Sequence, residues 1–411
     1  MEPDDPRERR SPEEREAALM KALPALVSHV FARAPGYRRR DPDVVPEKIT
    51  DRAALATLKL LRKSELPELQ RSEPPFGGLS VIAPPQAAKL FSSPGPVFEL
   101  EARSVDPWRA SRALRAAGFK AGDVVHNSFS YHLTPAGTMI ETGAHALGCA
   151  VIPAGTAPTE AQATAAAQFR ATAYGGTPSF LKVLLDRAAE LKLDLSSLTR
   201  ASVTAEALPA ALRKGLAERG VRVLQWYGTA DAGLIAYETP AMEGLVVDED
   251  VILEIVRPGT GDPVPPGEVG EVVVTILSGD QPLLRFATGD LSAILPGQSP
   301  CGRTNVRIRG WMGRADQSTK VRGLFVHPSH VAELVRRHPA LRRARLVVTR
   351  PEDLDVMTLR AEVAPESRPR LAEALAATLR ELTQLRAELE LVELDSLPND
   401  GKVIDDQRPV G

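Results

Sequence analysis

With 411 residues, 43% hydrophobic and 25% charged, the chain has material for a substantial core and for two or three domains. A formal net charge of −2 gives no footprint for nucleic acid or an anionic membrane, so small molecules are the expected partners. No apolar run approaches a bilayer span, the opening MEPDDPRERRSPEERE is too charged for a signal peptide, and Cys149 and Cys301 form no CxxC pair, so a cytoplasmic protein without disulfides or structural zinc is expected.

Residues 1 to about 16 read as disordered. EAALMKALPALVSHVFARAP then carries apolar side chains at helical spacing, with Pro35 and Gly36 to end the helix. LRKSELPELQRSEPPFGGL reads as a short helix and loop. The next stretch, KLFSSPGPVFELEARS at 89–104, has the outline of a phosphate-binding loop: two serines and a glycine between an apolar run and a strand-like segment. It lacks the Gly-Lys pair and the threonine that would grip a phosphate or a metal.

From about residue 105, helices alternate with short apolar strands. DPWRASRALRAAGF is predicted as a helix opened by Asp-Pro, DVVHNSF as a strand, GTMIETGAHALG as a helix and AVIPAG as a strand, with further pairs through VRVLQWYG. Such alternation predicts a covered, mostly parallel sheet and an α/β fold class. After residue 240, DEDVILEIVRPGTGDPVPPGEVGEVVVTIL places two β-rich runs around a Gly/Pro turn cluster, which predicts a small antiparallel subdomain at about 240–300. From 317 the pattern is strand, helix, two strands, long helix and strand, a compact α+β domain of split βαβ type capped by LPNDGKVIDD.

Four segments carry chemistry: QWYGTADAGL (225–234), LLRFATGDL (283–291), GWMGRADQSTKVRGLFVHP (310–328) and LPNDGKVIDD (397–406). Each alone reads as an ordinary turn, cap or solvated face. In this order, and joined by PGYRRR, PPFGGL, GFKAGDVV, TAEALP, CGRTNVRIRGWMGRAD and GKVIDDQR, they resemble the adenylate-forming enzymes, specifically the phenylacetate-CoA ligase family, over nearly the whole chain.

The resemblance implies a large N-terminal adenylate-forming domain (1–316) and a small mobile C-terminal α+β domain (317–411), turning about Asp316 between two poses. It implies an ATP-dependent acid:CoA ligase acting through an acyl-adenylate, with ATP/AMP, Mg2+ and coenzyme A as cofactors, and a homodimer. Lys402 matches the catalytic lysine that reaches the carboxylate and α-phosphate. Asp290 matches the acid that accepts from both ribose hydroxyls, and Arg314 the arginine near ribose and phosphate. Tyr227 and Gly228 match the wall against the adenine and α-phosphate. The family's Tyr-Gly-x-Ser/Thr-Glu pattern ends here in Ala230 and Asp231, which leaves Asp231 as the candidate Mg2+ ligand, one methylene short.

Ser92 and Ser93 are what remains of the family's Ser-Ser-Gly-Thr-Thr-Gly-Lys-Pro loop, and Glu206 in TAEALP resembles a glutamate on the nucleotide side. In HNSFSYHL, Phe129, Tyr131 and His132 are the candidates for the acyl pocket, with core packing the competing reading of the aromatics. His327 and His330 lack a third ligand and read as a loop and helix cap, so no zinc is predicted. Two alternatives stay open: a weakly active or non-catalytic homologue that binds a nucleotide or acyl ligand, and an adenylating enzyme whose acceptor is a carrier-protein thiol.

Overall fold

The computed structural model describes residues 5–408 apart from 94–95, 316, 318, 322–323, 350, 352–354 and 366–367. It is an α/β structure of two compact units, residues 1–253, 274–286 and 295–311 forming one, and 254–273, 287–294 and 312–411 the other. The division passes within the strands Val251–Val256, Gly270–Ile276 and Leu283–Ser292.

The first unit is built on the predicted sheet. Strands Ala150–Pro153, Val124–Asn127, Ala173–Gly176, Arg200–Val203 and Arg222–Thr229 lie side by side in that order, all parallel. Gly233–Glu238, Leu245–Val247 and Arg307–Ile308 continue it antiparallel. Both faces are covered: Ala173 and Leu224 pack with Trp108, Phe119, Ile140 and Trp226, whereas their neighbours Tyr174 and Val223 pack with Leu181, Leu184 and Leu216. Successive strand residues point to opposite faces, so each strand feeds two cores.

Two expectations are corrected here. The N-terminal segment forms the helical stretches Pro6–Arg9 and Pro12–Arg33, and two of its charged residues, Glu8 and Arg15, are buried in ion pairs. Glu8 accepts from Tyr237 Oη at 2.7 Å and pairs with Arg303 Nε at 3.0 Å, and Arg15 pairs with Glu249 at 3.0 Å. A capping box between Ser11 and Glu14 (3.1 and 2.9 Å) starts the Pro12–Arg33 helix. That helix ends at Arg33, just before Pro35 as expected, and because proline suits a first helical turn Pro35–Arg40 forms a second short helix. By contrast, the helix after Asp106 begins only at Ser111, since the Asp106 carboxylate accepts from the Ala110 and Ser111 amides (3.1 and 3.0 Å).

In the second unit Leu341–Thr349 pairs antiparallel with Val356–Val363. Ile404–Asp406 adds parallel to the former and Glu388–Val392 parallel to the latter. Helices Pro328–Arg337 and Arg368–Thr383 accompany this sheet, and Val326, Leu334, Leu346, Leu359 and Leu379 share its core. The predicted order of elements is reproduced. The His327 amide donates to Nδ1 of His330 at 3.3 Å, the helix-cap arrangement expected of this pair.

Candidate active site

The stretch with the outline of a phosphate loop is a tight hairpin. Lys89–Ser93 and Val97–Glu101 pair antiparallel with Ser93 opposite Val97 and Phe91 opposite Glu99, so only residues 94–96 connect them; Pro94 and Gly95 lie outside the described residues. Ser92 and Ser93 are therefore ladder residues. The Ser92 amide donates to the Leu133 carbonyl (2.8 Å), and the Ser93 hydroxyl donates to Glu99 Oε1 (2.5 Å). Glu99 is 7% exposed, its second oxygen is buried without a hydrogen-bond partner among the described residues, and burial pushes its carboxyl up to about 7. At the foot of the hairpin Glu101 pairs with Lys89 and accepts from Trp108 Nε1 and the Thr138 hydroxyl (2.9 and 2.5 Å).

Tyr227 and Gly228 sit near the end of the Arg222–Thr229 strand, where the register with Gly233–Glu238 slips. A Cβ at Gly228 would collide with the Gly233 carbonyl, which accounts for the glycine at this step. Two residues beyond the strand, Asp231 is nearly buried. Its Oδ2 meets Lys63 Nζ at 2.6 Å, the two side chains being 6% and 33% exposed. Asp231 and Glu99 line an apolar cavity of about 100 Å³ with Leu66, Phe98, Trp108 and Phe286. That lining carries three carboxyl groups, the third from Asp280, and no lysine or arginine among the described residues.

The acyl-pocket candidates separate. Phe129 is buried in the core with Trp108 and Ile140. Tyr131 is half-buried, its hydroxyl accepting from Asn127 Nδ2 (2.7 Å), with burial raising its phenol above the usual range. His132 and Glu206 are exposed.

In the second unit, Asp290 and Arg314 form a bridge between extended segments, flanked by Ala315 N to Gly289 O at 2.7 Å and Leu291 N to Gly313 O at 2.9 Å. This ladder places the guanidinium on the carboxylate: Arg314 donates to Asp290 Oδ1 at 2.9 Å. Gly289 has a φ of +77°, and a Cβ there would run into that guanidinium. Lys402 stands 51% exposed on its loop, paired with Asp405 at 2.8 Å. Gly401 carries a φ of +71° and lies against Val269 and Leu291. Gln317 ties the loop down: its amide donates to the Gly401 carbonyl (2.8 Å) and accepts from the Val403 and Ile404 amides (2.6 and 2.9 Å). The predicted hinge, Asp316, lies outside the described residues.

A family model described as AMP-binding enzyme matches residues 109–276. Phenylacetate-coenzyme A ligase of Aromatoleum evansii is 30% identical over 92% of this chain and 89% of its own length, and that of Thermus thermophilus is 32% identical over 86% and 82%. The chain belongs to the phenylacetate-coenzyme A ligase family. Its fold is that of 2-hydroxyisobutyryl-CoA ligase in a crystal structure of the postadenylation state, with a TM-score of 0.71, 23% identity and coverage of 99% and 94% of the two chains.

Within this family of AMP-forming acid–thiol ligases, two of this chain's residues escaped the sequence reading. Lys63 sits in the unremarkable string LRKSEL, and Gln317 lies inside the 310–328 segment without having been picked out of it; their partners lie 168 residues and 84 or more residues away. The residues around Asp231 do not fit a protein-held Mg2+. Magnesium takes hard oxygens in a near-ideal octahedron, usually from one or two carboxylates. Among the described residues no three of His, Cys, Asp or Glu are grouped to hold a metal, and the Asp231 carboxylate is already engaged by Lys63.

Proposed function

We propose that this chain joins a compact or aromatic carboxylic acid to the thiol of coenzyme A through an acyl-adenylate, releasing AMP. Family membership over most of the chain supports the reaction class. The observation that carries the adenylate is the Asp290–Arg314 pair at 2.9 Å, held by a short backbone ladder. The resemblance assigns Asp290 to the ribose hydroxyls, and a carboxylate with two oxygens suits a vicinal diol. Arg314 supplies fixed positive charge beside it.

In the first half-reaction a carboxylate oxygen attacks the α-phosphorus of ATP and pyrophosphate leaves. In the second, the thiol sulfur attacks the acyl carbon and AMP leaves. Negative charge grows on phosphate oxygens in the first, and a positioned cation stabilises it. Lys402 is that cation: its ammonium is half exposed and leaves Asp405 for the substrate carboxylate and α-phosphate, while Gly401 and Gln317 fix the loop. The roles that the resemblance gives Tyr227, Gly228, Glu206 and the acyl candidates Tyr131, Phe129 and His132, and the hinge at Asp316, belong to the same proposal.

The three-residue connection of the hairpin favours a narrower form of this reading, in which the ATP half-reaction is slow and the thioester half-reaction is kept. The test runs a panel of aryl and short aliphatic acids with ATP and coenzyme A, and in parallel supplies the matching acyl-adenylates, with mass-spectrometric detection of acyl-CoA and AMP. Acyl-CoA from at least one acyl-adenylate is expected. No thioester from any of them, with coenzyme A or with a carrier-protein thiol, contradicts the proposal.

A further inference from the structure

Asp231 stands where the family pattern has its acidic Mg2+ ligand, and its environment is that of a carboxylate whose counter-ion is built into the chain. Three observations bear on this. Lys63 Nζ lies 2.6 Å from Asp231 Oδ2, within a charge-assisted hydrogen bond. Lys63 is held at the start of the short helical turn Lys63–Glu65, between the Leu61–Arg62 strand and the Leu66–Ser72 helix, so its backbone is anchored on both sides. The neighbouring hairpin has exchanged the gripping chemistry of a phosphate loop for a closed ladder, with the Ser93 hydroxyl donated to Glu99.

We propose that Lys63 is the resident cation of Asp231 and takes the place of a divalent metal there. A nearly buried carboxylate needs a compensating charge, and stripping it of one is costly. An ammonium is compact and strongly hydrated, and on a flexible stem it delivers one positive charge to one oxygen. A divalent ion binding Asp231 must first displace that ammonium, and the loss of the built-in pair sets it at a disadvantage in the wild type. Lys63 therefore fixes Asp231 as a neutralised pair, and divalent ions reach the protein only as partners of a nucleotide's own phosphates.

The inference rests on the position of Asp231 within the proposed ligase site, and its test needs no turnover, so the two fail separately. Free Mn2+ is titrated into nucleotide-free protein and followed by electron paramagnetic resonance, for the wild type, Lys63→Arg, Lys63→Gln, Asp231→Asn and the Lys63→Gln/Asp231→Asn double variant, with thermal melts to establish folding. Wild type and Lys63→Arg are expected to bind Mn2+ no better than the double variant. Lys63→Gln, with its carboxylate released, is expected to bind it roughly tenfold tighter or more, and the added Asp231→Asn change to abolish that gain. A stoichiometric Mn2+ site in the wild type that Asp231→Asn removes would overturn the proposal, as would a folded Lys63→Gln protein with no gain. Should Lys63→Gln fail to fold, the wild type and Asp231→Asn arms decide alone.

Discussion

The hairpin at Lys89–Glu101 and the loop at Lys402 are both places where the family pattern brings protein groups to ATP phosphates, and they are built in opposite ways. In the hairpin the polar groups are spent on one another: Ser93 on Glu99, Lys89 on Glu101, the Ser92 amide on Leu133. Around Lys402 the backbone is pinned by Gln317 while the ammonium is left half exposed, with an exchangeable carboxylate for company. Prolines 94 and 96 have no amide proton to offer, and Phe98 stands where the loop pattern has its lysine. On the function proposed above, the difference puts the two ends of the nucleotide under separate control: the pyrophosphate end is the one left without gripping groups, and the adenylate end is the one that Asp290, Arg314 and Lys402 serve.

The variant with the largest expected effect is Lys402→Ala. Acyl-adenylate formation should fall by roughly two to three powers of ten, the usual loss for one positioned electrostatic group. Thioester formation from a supplied acyl-adenylate should stay near the wild-type rate; equal loss in both half-reactions would make Lys402 a structural residue and dissolve the contrast with the hairpin. Next comes Asp290→Ala, expected to weaken AMP and ATP binding alike by about 1.5–3 kcal/mol, because the charged hydrogen bonds to ribose go whatever the phosphate count. Calorimetry reads this directly, and an unchanged AMP affinity would remove Asp290 from the adenylate end.

A smaller effect sharpens the hairpin side. Burial raises the Glu99 carboxyl in the folded protein from the ordinary 4.5 to about 7, so the native state holds a proton that the unfolded chain has released. Stability from this group is full below about pH 4.5 and is lost as pH rises through about 7. Glu99→Gln keeps the neutral form at every pH, so at pH 8 it should be more stable than wild type by about 1–2 kcal/mol, with the difference vanishing near pH 5. Thermal melts across that range check it; a variant less stable than wild type at pH 8 would mean that the charged carboxylate is the favoured native form.

Much of the fold was legible because its signals are local. Helix–strand alternation from DVVHNSF to VRVLQWYG sufficed for a parallel sheet with two covered faces. The N-terminal segment was not legible: Glu8 and Arg15 read as solvated charge, and only pairing with Arg303 and Glu249, more than two hundred residues away, buries them. At the candidate site the same rule holds. Asp290, Arg314 and Lys402 sit in ordered motifs and were singled out by them as candidates. Lys63 carries no local mark, Gln317 lies in a singled-out segment but acts through partners 84 or more residues away, and the closed hairpin register follows from pairing of Ser93 with Val97, which the serine-rich string suggested as a loop.

The separation of the two nucleotide ends is tested most directly by titrating AMP and ATP, each with Mg2+, into the wild-type protein side by side. The loss of even two charged hydrogen bonds at the β- and γ-phosphates removes roughly 3–6 kcal/mol, enough to cancel the usual advantage of the triphosphate. The account predicts dissociation constants for AMP and ATP within a few-fold of each other. ATP binding tenfold or more tighter than AMP would contradict it, since some other group would then be holding the terminal phosphates.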